Sequence, residues 1–546
     1  MIERIIENWL DSSDERTYQI SFCQLLVTEG FRVLHISSHG MMEQGKDVIA
    51  IDSGGRPVGF QLKAGDISLS KWRTEIKGEI DELIELPIVH PGIQNQSGRR
   101  AILVTTGELS DPVRRAIDDR NRASARHRPR YPRLDVITKG DLVRRFVQAH
   151  GNWLPSALPE FSLFLKLLVA DPRSLPDKRS LAAFFSSFLP LTQDEEVAMR
   201  LTQSKRAIAS AVLFGSYILS GYEKAENWVA LIEGWSVCAA HILAVVERFG
   251  ISEPHYSESL SLCKRMIEEG SENLTKEVLG RTHYSEGNPM SDDTVIYRSR
   301  VTMTFGCISA WLISCRLDKR QNLYKKQLSD IFAKNISLLL LWGEASVPFF
   351  VSISLAMELA QQSALAEDIL IGITKSICVK NGLQSASPLD TPYEDMDGSL
   401  KRMIGLPTED VRDPRTFVGF SYSIEALVEM IARRLRKQAL RMLWRDITGL
   451  TYCKFQPPEK WRWFLWRNQR GLLRTHLPKH PEKWEELLRR SSERQETSLP
   501  LAATSNAWFL PFFLLSHPHR FDVESAALID GLLSNSPEPE SKTNQN

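Results

Sequence analysis

Gly45-Lys46-Asp47-Val48-Ile49-Ala50-Ile51 and Val58-Gly59-Phe60-Gln61-Leu62-Lys63-Ala64 are two short apolar runs either side of Asp52-Ser53-Gly54-Gly55-Arg56-Pro57. The pattern predicts two strands joined by a turn, with an acid at the start of the first strand and a Gln-x-Lys inside the second. Side chains two apart in a strand point to the same face. Gln61 and Lys63 therefore share one face, Phe60 and Leu62 take the other, and a hairpin can bring Asp47 close to the first pair. An acid, a carbonyl-bearing side chain and a lysine converging on one spot suit metal-assisted attack on a phosphodiester.

Outward from this pair, residues 1–150 mix helical and strand periods. Tyr18, Phe22, Leu25 and Leu26 predict a helix over 17–28, which Gly30 ends. Phe31 to Ile36 reads as a strand, Ser70 to Glu85 as a charged amphipathic helix, and Arg100 to Thr106 as a buried strand closed by Gly107. Asp111-Pro112 opens a further helix, with the acid as cap and proline in the first turn. Leu134 to Thr138 is a last strand, and Asp141 caps a helix over 142–149. The order α-β-β-β-α-β-α-β-α predicts an α/β domain, a central mixed sheet flanked by helices.

Beyond Gly151 strand alternation nearly vanishes and apolar residues recur at three and four, as in Trp228, Leu231, Ile232 and Trp235. The expectation is a large all-α C-terminal region in two parts, 151–381 and 418–533. Between them lies an irregular stretch, 382–417, holding four prolines. Residues 534–546 are polar with two prolines and predict a disordered tail.

The ordered series Tyr18-Gln19, Gly30-Phe31, Gly45-Lys46-Asp47, Phe60-Gln61-Leu62-Lys63, Ile102-Leu103-Val104-Thr105-Thr106 and Val136-Ile137 before Asp141-Leu142 resembles the Mrr-like branch of the PD-(D/E)xK restriction-endonuclease superfamily. The likeness covers residues 15–148, about a quarter of the chain, and its specificity lies in the order, since each piece alone is common. It implies a restriction-endonuclease-like fold and a Mg²⁺ or Mn²⁺ site. Asp47 would bind the metal directly, Gln61 would offer its amide oxygen and Leu62 its backbone carbonyl. Lys63 would orient the attacking water or stabilise the phosphorane, and a cation beside it would lower its own pKa.

This chain departs from that pattern in two places. Gln19 stands where the family's first helix often has a glutamate, and Gln61 is neutral. Glu15 lies one turn before Gln19 on the same helical face and is a substitute. On this reading Asp47 is the one close carboxylate, which predicts weak metal affinity. The competing reading is a degenerate scaffold in which Asp47 only begins a strand and Lys63 is a solvated edge charge.

Arg114, Arg115, Arg120, Arg122, Arg126, Arg128, Arg130 and Arg133 are eight arginines within twenty residues, against only Asp118 and Asp119. They are expected to contact phosphates of DNA without reading sequence. The alternative is a solvated helix face. Arg433-Arg434-x-Arg436-Lys437 and Trp461-Arg462-Trp463-Phe464-Leu465-Trp466-Arg467 could likewise stack bases, but tryptophans three apart describe a core helix better. His517-Pro518-His519 lacks a third ligand and reads as a turn.

Composition bounds the rest. A chain of 546 residues exceeds one core, and a net charge of +1 argues against a wholly nucleic-acid-coating protein. Seven scattered cysteines without a C-x-x-C spacing predict reduced thiols. The N-terminus lacks a signal-peptide layout, and Ile336–Trp342 and Ala507–Leu515 are too short to span a bilayer, so a soluble cytoplasmic protein with no membrane partner is expected. There is no phosphate-binding G-x-x-x-x-G-K-[ST] and no G-x-S-x-G. Taken together, the sequence predicts a metal-dependent endonuclease acting on DNA, with RNA left open. Its helical region would sense a trigger, bind a protein partner or self-associate, as in prokaryotic restriction or anti-phage defence effectors. The alternative is a catalytically degenerate fold acting as a nucleic-acid-binding or scaffold subunit.

Overall fold

The computed structural model describes residues 6–7, 10–11, 13–37, 45–90, 92–93, 98–127, 131–150, 158–189, 191, 201–281, 292–315, 321–382, 396–408, 418–465, 472–478, 482–492 and 498–534. Its contacts form two compact units, 1–168 with 187–220 and 169–186 with 221–546. The first runs past residue 150, where the sequence suggests a boundary, and the second takes in residues on both sides of 382–417.

In the first unit, α1 (Glu15–Thr28) buries Tyr18, Phe22, Leu25 and Leu26, the apolar stripe read from the sequence. It is followed by Gly30 at φ +89°. Five strands follow: β1 (Arg32–Ile36), β2 (Val48–Ile51), β3 (Pro57–Lys63), β4 (Arg100–Thr105) and β5 (Leu134–Ile137). They lie side by side in chain order. β1, β2 and β3 pair antiparallel, then β3, β4 and β5 pair parallel, so the sheet is mixed. The β2–β3 turn is fixed by Asp52, whose Oδ1 accepts from Gly54 N (3.0 Å) and Arg56 N (2.9 Å).

The parallel crossovers run through α2 (Lys77–Glu85) and α3 (Asp111–His127), and α4 (Lys139–His150) follows β5. α2 is entered through a short helical turn, Leu69–Lys71, and a π-helical turn, Trp72–Ile76. Asp111 and Pro112 sit in the first turn of α3, and Val113 N and Arg114 N donate to Ser110 O. The residue before the helix is therefore Ser110, where the sequence suggested Asp111. The order of helices and strands is the one read from the sequence.

The sheet has helices on both faces. Gln61 and Lys63 register with Leu103 and Thr105. Leu103 packs with Ala101 and Leu134 against Ile80, Leu83 and Ile84 of α2 and Val113 and Ile117 of α3. On the opposite face Phe60 meets Phe22 of α1, ring centroids 5.3 Å apart. Arg145 of α4 lies over the Phe22 ring and pairs with Glu29. The alternation expected of Phe60-Gln61-Leu62-Lys63 is thus observed.

The second unit is mainly helical. α7 (Trp228–Phe249), so numbered after α5 (Leu158–Leu168) and α6 (Leu201–Lys224), is apolar and long enough to cross a membrane by length and composition. Yet 94% of its most apolar window is buried within the protein, as for a core helix. It packs on α8 (Ser257–Gly280), while α9 (Asp292–Ser314), α10 (Val347–Leu359) and α11 (Ser363–Asn381) stack in succession.

The expectation of an all-α region needs correction. Phe420–Ser421 (β6), Thr451–Gln456 (β7) and Leu472–His476 (β8) form a small sheet. Tyr452, Cys453 and Phe455 on β7 are buried, and β-branched and aromatic residues favour a pleated, half-buried surface. Trp461, Trp463 and Phe464 are buried, as expected of core residues, but on a 3₁₀ turn (Lys460–Phe464) rather than an α-helix. Residues 382–417, expected to be irregular, contain a helix, Met396–Met403. The tail 535–546 lies outside the described residues.

Glu344 joins this sheet to the helices. It is buried and accepts hydrogen bonds from Ser421 Oγ (3.0 Å), Tyr422 N (3.0 Å), Ser423 N (3.1 Å), Ser423 Oγ (2.8 Å) and Asn381 Nδ2 (2.5 Å).

Candidate functional site

The chain enters β2 through Gly45, whose φ is +68°. A Cβ there would stand 2.4 Å from the backbone oxygen of Glu79. Only glycine permits that approach, and it seats the start of β2 against α2. Asp47 comes next. Its N–H donates to Phe60 O (2.9 Å), and its carbonyl accepts from Ser37 N (2.7 Å) and Gln19 Nε2 (3.2 Å). Beyond this rung its carboxylate takes over as acceptor: Oδ2 receives the Leu62 N–H at 2.6 Å.

One residue along β3, Lys63 Nζ stands 2.8 Å from Glu79 Oε2 and 3.5 Å from Glu15 Oε2. The same Glu79 oxygen accepts from Gln61 Nε2 at 3.2 Å. Glu15 Oε1 accepts from Ala64 N (3.4 Å). Tyr18, fully buried, threads its hydroxyl between Lys63 N, Lys63 O and Val104 O. Lys71 Nζ donates to Ala64 O (3.0 Å). One end of β3 thus gathers Asp47, Gln61, Lys63, Glu79 and Glu15.

The electrostatics follow from this packing. Burial raises the Asp47 carboxyl from its ordinary 3.8 to about 6; the Leu62 N–H and Lys63 pull it down, while Glu15 and Glu79 push it further up. Burial alone would lower Lys63, but the Glu79 hydrogen bond and the charges of Glu15, Glu79 and Asp47 outweigh it and hold the ammonium above its usual range. Burial lifts the Tyr18 hydroxyl well above the ordinary tyrosine value, and Glu15 adds to the shift.

Glu79 was not identified from the sequence. It lies among Glu75, Asp81, Glu82 and Glu85, and nothing in the residue string separates it from them. The π turn before it changes the helical phase, so wheel arithmetic fails. With Glu15 and Glu79 both at Lys63, Asp47 is not the one carboxylate of the site, which corrects that expectation. Gln19 is buried and brought to Asp47, but its amide engages the main-chain carbonyl and so positions the strand.

Two observations bear on whether a cation fits. Gln61 is 3% exposed, and its Oε1 has no hydrogen-bond partner among the described residues. A buried bare carbonyl oxygen is costly unless something coordinates it. With the Asp47 carboxylate, which meets the next residue of β3 at Leu62 N, it would make an oxygen-only donor set, the kind hard cations prefer. Against this, among the described residues no three His, Cys, Asp or Glu side chains gather closely enough to hold a metal by themselves. The fit therefore depends on the amide and on carboxylates that other groups now engage.

No family model, curated protein or solved structure matches the chain.

The arginine-rich segment is divided by the fold. Arg114, Arg115, Arg122 and Arg126 are exposed on α3. α3 leaves the end of β4 that registers with Lys63, and at 1.5 Å per residue Arg126 lies about 18 Å farther along the axis than Arg114. Arg114 and Arg115 are therefore near the Lys63 end of the sheet and Arg126 is carried away from it. Arg114 pairs with Glu108 (3.1 Å), and Arg120 pairs with Asp81. Among the described residues Arg115, Arg122 and Arg126 carry no ion pair. Arg128 and Arg130 lie outside the described residues.

The second basic stretch is occupied by its own unit. Arg433 and Arg434 pair with Asp530 (2.8 and 2.9 Å), Arg434 also with Glu358 (2.6 Å), and Arg436 with Glu367. That is a structural ion network. His517 and His519 are both buried.

Proposed function

We propose that the first unit is a restriction-endonuclease-like nuclease of the PD-(D/E)xK type. It cleaves DNA phosphodiesters with Mg²⁺ or Mn²⁺, in a cytoplasmic protein whose helical region senses a trigger or assembles with a partner. The observation that carries this reading is the convergence on one end of β3 of the Asp47 carboxylate, the bare Gln61 Oε1 and the Lys63 ammonium. Asp47 and Gln61 would hold the cation, with the Leu62 carbonyl as the ligand that the resemblance implies. When bound, the cation lowers the pKa of a water and offsets phosphate charge. Lys63 is kept protonated by its carboxylate neighbours. It therefore acts as a fixed positive charge against the phosphate oxygens, where charge builds during displacement, and not as a base. Arg114 and Arg115 supply backbone contacts that position the duplex.

The test is incubation of the purified chain with supercoiled plasmid, and in parallel with RNA, in Mg²⁺ or Mn²⁺. Nicked and linear DNA, stopped by chelation, is the expected product. Neither nucleic acid being cut in either metal would overturn the reading. The sensing or assembly role of the helical region fails if the isolated chain is monomeric and cuts freely.

A second reading is favoured by one observation: Lys63 is already engaged by Glu79 and Glu15. It makes the unit a catalytically degenerate nucleic-acid-binding or scaffold subunit, and predicts salt-sensitive DNA binding without cleavage.

A further inference from the structure

We propose that Glu79, supplied by α2, is the carboxylate that joins Asp47 on the divalent cation, taking the part that neutral Gln61 cannot fill with charge. This deepens the cation-site reading above and rests on it. Three features single out Glu79. The positive-φ Gly45 lets the entry to β2 press on the α2 backbone at Glu79 itself, tying that residue to the start of the Asp47 segment. The π turn Trp72–Ile76 comes just before it and fixes its phase, and such turns recur where a helix must aim a side chain. Its Oε2 is shared by Gln61 Nε2 (3.2 Å) and Lys63 Nζ (2.8 Å), so it lies against the same amide whose Oε1 is buried and unpartnered.

Glu15 is the natural competitor: it too reaches Lys63, and its charge pushes the Asp47 carboxyl up ahead of that of Glu79, but it shares neither the Gly45 contact nor the Gln61 amide. It comes from α1, lies 3.5 Å from Lys63, and gives its other oxygen to Ala64 N. Glu79 is also free to turn, because its side chain is 42% exposed. As Glu79 turns toward a cation it relinquishes Lys63, whose ammonium then faces the phosphate. One carboxylate thereby couples cation occupancy to the availability of Lys63.

The experiment is a Mn²⁺ titration of the full chain at pH 7.5, read by calorimetry and by the electron paramagnetic resonance of free Mn²⁺, without nucleic acid. Glu79→Gln keeps an acceptor for Lys63 and Gln61 but removes the charge. It is expected to weaken Mn²⁺ binding about tenfold or more, while Glu15→Gln changes it less than about threefold. Glu79→Asp, which keeps the charge, is expected to bind more tightly than Glu79→Gln. Equal affinity in wild type and Glu79→Gln, or equal losses in Glu79→Gln and Glu15→Gln, overturns the role of Glu79 and leaves the cation site standing. Absence of Mn²⁺ binding by the wild type overturns the cation site, and this inference with it.

Discussion

Glu79 Oε2 lies 2.8 Å from Lys63 Nζ, a contact between α2 and β3 that makes the lysine's charge a property of the helix as much as of the strand. Lys63→Met keeps the aliphatic stem and removes the ammonium. Glu79 is 42% exposed and can turn to water, so the variant should unfold within about 1 kcal/mol of wild type in urea. Plasmid cleavage should fall at least about a hundredfold. Unchanged cleavage would return Lys63 to the role of a structural charge.

Asp47 gives a pH signature. Its carboxyl rises from 3.8 to about 6 on folding, so the folded chain holds that proton more tightly than the unfolded one. The sign follows: the group favours the fold most below about pH 4, its contribution is lost as pH rises toward 6, and it stays flat above. Asp47→Asn removes the charge and keeps an oxygen for the Leu62 N–H. At pH 7.5 it should be more stable by on the order of 2–3 kcal/mol, with the two melting curves converging near pH 4. A variant less stable at pH 7.5 would show that the carboxylate is better solvated than its burial implies.

Gln19 acts through Asp47's main chain. Gln19→Leu should cost about 1–2 kcal/mol of stability, since Ser37 N still serves the Asp47 carbonyl. Cleavage should fall while DNA affinity holds. A parallel fall in DNA affinity would place Gln19 at the duplex.

The arginines of α3 should separate by position. Arg114→Ala with Arg115→Ala should weaken DNA binding and reduce the salt slope by about one to two. Arg126→Ala should do less, being about 18 Å farther along the helix. Equal effects would mean the duplex tracks the whole helix.

In the helical unit, Glu344→Ala removes the acceptor shared by the buried donors of Ser421, Tyr422, Ser423 and Asn381, of which Asn381 keeps Phe420 O (3.1 Å). A loss of about 3 kcal/mol or more in chemical denaturation is expected. A loss below about 1 kcal/mol would mean that water reaches these donors.

Much of the first unit was legible because its signals are local. Alternation at Phe60-Gln61-Leu62-Lys63, the helical stripe ending at Leu26 and the turn chemistry of Asp52 each fix a neighbourhood by themselves. Glu79 was not legible: its relation to Lys63 depends on a π turn and on the close pass of Gly45, both tertiary facts. The strand at Thr451–Gln456 was hidden between the helical run Lys437–Thr448 and tryptophans whose spacing reads as a helix but which sit on a 3₁₀ turn, and β6 is too short to leave a pattern. α7 does not read as one continuous apolar span because Glu233 and His241 interrupt its run, although both are buried.

The most direct measurement is cleavage of supercoiled plasmid in Mn²⁺ by wild type, Asp47→Asn and Lys63→Met side by side, each first shown to be folded by thermal melting. The account predicts nicked and linear DNA from the wild type alone. Cleavage that persists in both folded variants would contradict it, by moving the chemistry away from the end of β3.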